Sequence, residues 1–336
     1  MTADSHTLVI GPSWVGDMVM AQSLFIALKQ QSPEQPIDVL APGWSEPLLA
    51  RMPEVSRSIE MPLGHGQLQL RQRYQLGKSL RSRHYQLAIV LPNSLKSALV
   101  PFWASIPQRR GYRGEMRYGL INQMHALDKQ NLPMTVQRFV ALASATPPLS
   151  TPDYATPALS IQQQGVDAAL ANHQLNTDKP ILVLCPGAEY GPAKRWPAAH
   201  FSTVANHYLE QGWQVWLFGS HKDVEQCDAI HQGCQQRTIN LAGKTSLSEV
   251  IDLMSLANYV ISNDSGLMHI AASLDRPLVA LYGSSDPGFT PPLNAQAQVM
   301  RLGLPCSPCF KRDCPLGHTD CLTKLTPESV LESMQA

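Results

Sequence analysis

Five stretches of this 336-residue chain bring together residue types that can do chemistry. The first, Gly11-Pro-Ser-Trp-Val-Gly16-Asp17-Met18, nearly fits the phosphate-binding pattern G-x-x-x-x-G-K-[ST], but Asp17 and Met18 stand where the lysine and the hydroxyl residue belong. A carboxylate there repels phosphate. It suits a general base over a substrate hydroxyl, or a helix cap that accepts from backbone N–H groups. The second, Asn263-Asp264-Ser265-Gly266-Leu267-Met268-His269, follows an apolar run and opens a helical stretch. Free N–H groups and the dipole of a helix start favour phosphate oxygens. Ser265 adds a hydroxyl, Gly266 permits close approach, and His269 lies one turn on along the same face. The third, Pro186 to Trp196, is a loop whose Lys194 or Arg195 suits the charge of a diphosphate.

The fourth stretch is basic: Lys96, then Arg109-Arg110-Gly-Tyr-Arg113-Gly-Glu-Met-Arg117. Arginine binds carboxylates and phosphates through paired hydrogen bonds. Basic and aromatic residues together also suit single-stranded nucleic acid, a reading that the balanced charge of the whole chain argues against. The fifth, Cys306-x2-Cys309-x4-Cys314-x6-Cys321 with His318 inside it, has the cysteine density of a metal site but irregular spacing. A structural metal centre and reduced structural thiols are both open, and no role in catalysis is expected. No Asp-x-Asp motif is present to hold a divalent ion on a donor diphosphate, so helix dipole and basic residues must do that work.

The elements that position these stretches are short apolar runs ending in glycine or small polar residues. Thr7–Ile10 leads into Gly11, and Met18–Gln30 then carries apolar residues at helical spacing. Ile37–Leu40 and Leu87–Leu91 follow with room for helices between. After the Pro/Ser/Thr-rich stretch Pro147–Pro157 the scheme repeats, with Ile181–Leu184, Gln214–Phe218, Tyr259–Ser262 and Leu278–Tyr282. Alternating strands and helices predict parallel sheets in two domains, with ligand loops at the carboxyl ends of the strands.

Composition sets the bounds. Apolar residues make up 44% and charged residues 15%, which fits filled cores and excludes disorder. No apolar run reaches the roughly 18 residues of a membrane span. Met1–Met20 lacks a basic start and is broken by Gly11, Pro12 and Asp17, so it does not read as a signal peptide. Seven cysteines also suit a reducing compartment, and the expected location is the cytoplasm. The zero net charge divides unevenly: residues 1–150 hold 15 Lys+Arg against 9 Asp+Glu, and the remainder 11 against 17. That asymmetry suits two domains that attract each other, or an N-terminal half that holds an anionic partner.

The motif strings resemble the ADP-heptose:lipopolysaccharide heptosyltransferases over essentially the whole chain. They are Gly11–Met18, Leu91–Pro101, Gly111–Gly119, Cys185–Pro197 and Asn263–His269, and the likeness is greatest to members that add the second inner-core heptose to the first. The resemblance implies an α/β protein of GT-B type, two Rossmann-like domains facing a central cleft. It implies an acceptor-binding domain over 1–160, an ADP-sugar-binding domain over 175–322 and a C-terminal helix over 323–336. It further implies inverting transfer from ADP-heptose without cofactor or catalytic metal. Asp17 aligns with the proposed base, Lys194 and Asp264, Ser265, Gly266 and His269 with the donor site, and Gly219, Ser220 and Asp223 with the ribose. Lys96, Arg110, Arg113 and Arg117 would meet a lipid-anchored inner-core acceptor, with transient contact at the inner membrane surface and no nucleic acid. The alternatives are an epimerase or hydrolase of nucleotide sugars with the same fold, a heptosyltransferase for another acceptor position, and a redox or metal-binding protein built on the cysteines.

Overall fold

The computed structural model describes residues 6–64 and 66–334. The start of the stretch read for a leader and the last two residues of the expected helix over 323–336 lie outside the described residues. The chain forms two compact units, one ending at Pro157 and the other beginning at Ala158.

The first unit holds strands β1 (His6–Ile10), β2 (Ile37–Ala41), β3 (Arg57–Glu60), β4 (Tyr85–Val90), β5 (Gln108–Tyr112) and β6 (Gln123–His125) in the order β3-β2-β1-β4-β5-β6. The second holds β7 (Ile181–Cys185), β8 (Gln214–Leu217), β9 (Ile239–Asn240), β10 (Tyr259–Asn263), β11 (Leu278–Leu281) and β12 (Ala297–Met300) in the order β12-β11-β10-β7-β8-β9. All these pairings are parallel. Counted within its own unit, each sheet has the order 3-2-1-4-5-6, the doubly wound Rossmann arrangement.

Parallel strands covered on both faces must be apolar throughout. All residues of β7 and β11 are buried, and Leu8, Val9, Ala88, Ile89 and Val90 on the central strands of the first sheet are at 0% exposure. Each such large side chain contributes roughly 1.5–3 kcal/mol. Helix Val15–Gln31 presses Met18 to Phe25 into the first core, and Ser23 Oγ donates to the Ala155 carbonyl at 2.7 Å. That helix starts three residues before the apolar spacing predicts, because Val15 and Gly16 form its first turn. In the second core, Trp196 and Phe201 pack edge to face against each other, with centroids 4.9 Å apart.

The topology fixes where ligands can sit. In each sheet the chain winds in opposite directions from the pair β1/β4 or β7/β10, so the loops after those two strands diverge and leave a crevice. Ile10 pairs with Val90, and Cys185 with Ser262. The loops carrying Asp17 and Lys96 therefore share one switch point, and those carrying Lys194 and Asp264 share the other.

Candidate active site

At the second switch point, Lys194 and Asp264 meet although they lie 70 residues apart. Lys194 ends the short turn Pro192–Lys194, and its Nζ is 2.5 Å from Asp264 Oδ2. The side chains are 18% and 5% exposed, so this ion pair is largely dry. Lys194 Nζ also lies 5.3 Å from the centre of the Tyr190 ring. Asp264 directly precedes Ser265, the N-cap residue of helix Gly266–Ser273, which is extended and makes no side-chain capping bond. The first N–H groups of the helix therefore keep their capacity for an anion.

His269, on the same helix, is 5% exposed. Burial pushes its pKa down to about 4; the Lys194 cation adds to this and Asp264 opposes it. The ring is neutral at pH 7 and can orient a ligand but not supply charge. A linkage effect follows. The unfolded imidazole takes a proton near pH 6.5 that the buried one refuses, so stability rises with pH between about 4 and 6.5. Urea unfolding at pH 5 and 7 should show this gain, and His269→Gln should flatten it.

Asn263, which sequence reasoning passed over, staples the Lys194 loop at both ends. Its Nδ2 donates to the Pro186 carbonyl at 2.6 Å, and its Oδ1 accepts from Trp196 N at 3.1 Å. A fully buried amide closing an apolar strand is the signal that marks it. Ser284 and Ser285, after β11, were also missed; both are buried, with hydroxyls lacking a partner.

Gly219, Ser220 and Asp223 follow β8, on the other side of β7. Asp223 Oδ2 accepts from Ser220 N at 2.9 Å and from Ser220 Oγ at 2.7 Å, and Arg195 lies 3.5 Å from Oδ1. A Cβ on Gly187 would come within 2.5 Å of the Asp223 side chain, which explains the glycine there. The carboxylate thus braces the loops after β7 and β8.

At the first switch point, Asp17 is half-buried in the third position of helix Val15–Gln31, whose N-cap residue is Trp14. Asp17 is therefore not itself the N-cap. A Cβ on Gly11 would sit 2.8 Å from Met18 Cε and 3.2 Å from Ala41, so glycine is what lets the loop tuck under the helix. Lys96 occupies the first turn of helix Leu95–Trp103, where a cation opposes the helix dipole. Glu115 compensates by accepting from Leu95 N at 2.7 Å.

The basic stretch divides. Arg113 is exposed. Arg110 and Arg117 correct the expectation that they meet an acceptor. Arg110 is 4% exposed and donates to the carbonyls of Leu142 and Ala143 at 2.9 and 2.8 Å. Arg117 is at 0% exposure and donates to the carbonyls of Pro92 and Tyr112, both at 2.7 Å, and to Asn93 Oδ1 at 3.1 Å. Their guanidinium forks are used to tie loops together. Arg117→Lys, which loses the planar fork, should therefore cost roughly 1–3 kcal/mol of stability. Thermal melts should show that loss while the substrate KM values stay near wild type.

All seven cysteines are free thiols, and Cys306, Cys309, Cys314 and Cys321 reach the surface to varying extents. Among the described residues, no helix is long and apolar enough to cross a membrane.

Two doubly wound Rossmann sheets, one in each unit, make this an α/β protein of GT-B type. The profile of glycosyltransferase family 9 (heptosyltransferase) matches residues 73–320, and the chain belongs to that family. It is 48% identical to lipopolysaccharide heptosyltransferase 2 of Salmonella typhimurium, over 98% of this chain and 97% of the relative. It is equally 48% identical to lipooligosaccharide heptosyltransferase 2 of Haemophilus influenzae, over 98% of each. The solved structure of ADP-heptose LPS heptosyltransferase II from E. coli superposes with a TM-score of 0.89 at 44% identity, covering 98% of this chain and 97% of that one.

Proposed function

We propose that this chain transfers a heptose from ADP-heptose to the first heptose of the lipopolysaccharide inner core, with inversion and without a metal in the reaction. The observation that carries this is the end-to-end 48% identity to heptosyltransferase 2 proteins. The two switch points supply the chemistry. Asp17 takes the proton of the acceptor hydroxyl as that oxygen attacks the anomeric carbon, and the bond to ADP breaks on the opposite face. A single displacement of this kind inverts the centre and needs no covalent intermediate. Lys194 and the N–H groups of helix Gly266–Ser273 take up the charge that grows on the departing diphosphate. Gly219, Ser220 and Asp223 form the loop proposed beside the ribose, with the Asp223 carboxylate shaping it.

Lys96 and Arg113 are the acceptor-facing cations on this reading. Met116 and Tyr118, 83% and 68% exposed, stand in the same loop as Arg113 and suit transient contact with the cytoplasmic face of the inner membrane, where a lipid-anchored acceptor resides. The decisive experiment is a transfer assay with ADP-heptose and truncated core acceptors, read by ADP release and product mass. Release that requires an acceptor ending in the first heptose is expected. Equal release without acceptor would make the chain a hydrolase, and transfer to another acceptor position would refute the assignment. The anomeric configuration of the product, read by NMR, tests inversion.

A further inference from the structure

We propose that helix Leu70–Leu80, helix Leu95–Trp103 and the loop over residues 113–120 form one docking face for an anionic phospholipid bilayer. Composition marks it first. Residues 66–126 include ten basic residues and a single acidic one, Glu115. The same stretch holds seven of the sixteen exposed large apolar side chains among the described residues, from Leu68 to Tyr118. Such side chains are ordinary when scattered singly, but gathered on one surface among cations they mark a binding face.

The fold gathers them. Helix Leu70–Leu80 turns Arg73, Gly77 and Leu80 inward. A Cβ on Gly77 would lie 2.8 Å from both Trp103 Cβ and the Val100 carbonyl oxygen, so the two helices touch. Tyr74 and Trp103 meet edge to face, with centroids 5.7 Å apart. The buried Arg73 ties both helices to the preceding loop, donating to the carbonyls of Leu68 at 2.7 Å, Gln67 at 2.9 Å and Lys96 at 3.3 Å. The third segment is fastened at two points. Glu115 accepts from Leu95 N. Arg109, whose guanidinium lies 5.5 Å from the centre of the Phe102 ring, donates to the carbonyls of Leu120 and Gly119 at 2.7 and 3.1 Å.

What faces outward is amphipathic. On the first helix Leu70 and Tyr74 lie one turn apart, with Arg71 and Lys78 beside them, and all four are exposed. Leu95 and Phe102 lie two turns apart on the second helix, and Arg113, Met116 and Tyr118 follow on the loop, all of them exposed. Arg73, Arg110 and Arg117 are buried and Glu115 caps Leu95 N, so the charge these segments leave at the surface is predominantly positive.

The occupant follows from that chemistry. Apolar side chains standing between long cations reach the acyl boundary while the cations meet the phosphates of the bilayer lipids. Each cation near an anionic membrane strengthens binding about fivefold. A soluble protein partner would select an interface core depleted in charge, whereas here Arg71 adjoins Leu70, and Arg113 stands close to Met116 in the chain. The face extends to two helices the membrane contact proposed above for Met116 and Tyr118, and it rests on that reading only for its use. Seated on a bilayer, the loop that carries Arg113 stands at the headgroup plane, where a lipid-anchored acceptor presents its sugars.

The test uses the full chain without donor or acceptor, sedimented with vesicles of phosphatidylethanolamine and phosphatidylglycerol, or of phosphatidylcholine alone. Binding to the anionic vesicles is expected, with release as salt rises from about 50 to about 500 mM and little binding to phosphatidylcholine. Arg71→Gln with Lys78→Gln should weaken anionic binding roughly 10–30-fold, and Leu70→Gln should weaken it several-fold. Both variants should match the wild type in transfer to a soluble, deacylated acceptor and fall behind it with acceptor embedded in vesicles. Hydrogen exchange on the wild-type chain decides where a variant fails to fold: anionic vesicles should protect residues 67–78 and 113–120. No vesicle binding, equal binding to phosphatidylcholine, variants that bind as the wild type does, or protection confined to other segments would overturn the face. So would binding of single-stranded RNA that the same substitutions abolish while vesicle binding persists. Vesicle binding that depends on Arg71 and Lys78, in a chain that transfers no heptose, would leave the face standing and refute the proposed function.

Discussion

Asp17→Asn should lower kcat by about 10²–10⁴-fold, the usual cost of removing a general base. An acceptor hydroxyl is a poor nucleophile until its proton is taken, and asparagine keeps the shape of aspartate while losing its basicity. The helix that follows aids the native residue. Asp17 sits within the first turn of Val15–Gln31, where the positive end of the dipole favours the ionised carboxylate, the form a base needs. The substitution should leave the thermal shift by ADP and the melting temperature close to wild type, because donor groups and the core around Met18 are untouched. Turnover within a few-fold of wild type, in protein that still binds ADP, would show that Asp17 serves the helix start alone and that another group takes the proton.

Both halves of the fold were legible where strands are central. β1, β2, β4, β7, β8, β10 and β11 are largely buried, so each carries a short apolar run, interrupted in β2 by Asp38 and bounded in β4, β8 and β10 by Gln86, Gln214 and Ser262. The outer strands escaped notice for the opposite reason. β3, β6, β9 and β12 read Arg-Ser-Ile-Glu, Gln-Met-His, Ile-Asn and Ala-Gln-Val-Met, with few buried positions to make a pattern. β5 was hidden by charge. Its Gln-Arg-Arg-Gly-Tyr looks like a basic surface loop, yet the fold buries Arg110 and half-buries Arg109. Type and spacing cannot reveal that a guanidinium is used up by carbonyls more than 20 residues away, as with Arg117 and Pro92. The same limit applies at the donor loop. Lys194 and the segment Asp264–His269 could each be read locally as anion-binding, but their pairing arises only when β7 and β10 lie side by side. Glu115 shows the converse: an acidic residue amid arginines is explained by a helix start that is 20 residues away in sequence and adjacent in space.

Lys194→Ala should reduce kcat/KM by roughly 10²–10³-fold, the range seen when one preorganised charge-stabilising group is removed. Two effects combine. On the proposed reading, the cation that meets the growing charge on ADP is gone, and Asp264, 5% exposed, is left as a carboxylate without its Lys194 partner. Removing one partner of a buried ion pair typically destabilises by about 3–5 kcal/mol, so the single variant should also melt at lower temperature. Stability and catalysis separate in the double variant Lys194→Ala with Asp264→Asn. The amide removes the stranded charge, and the melting temperature should recover much of its loss. Turnover should not recover, because no cation has been returned to the leaving group. Lys194→Arg makes a third arm: it restores charge but replaces a compact ammonium by a broad planar fork, and partial activity is expected. If the double variant regained near wild-type turnover along with its stability, the pair would be a structural tie. The charge of the departing diphosphate would then rest on the helix N–H groups alone, which Lys194→Ala could not have touched.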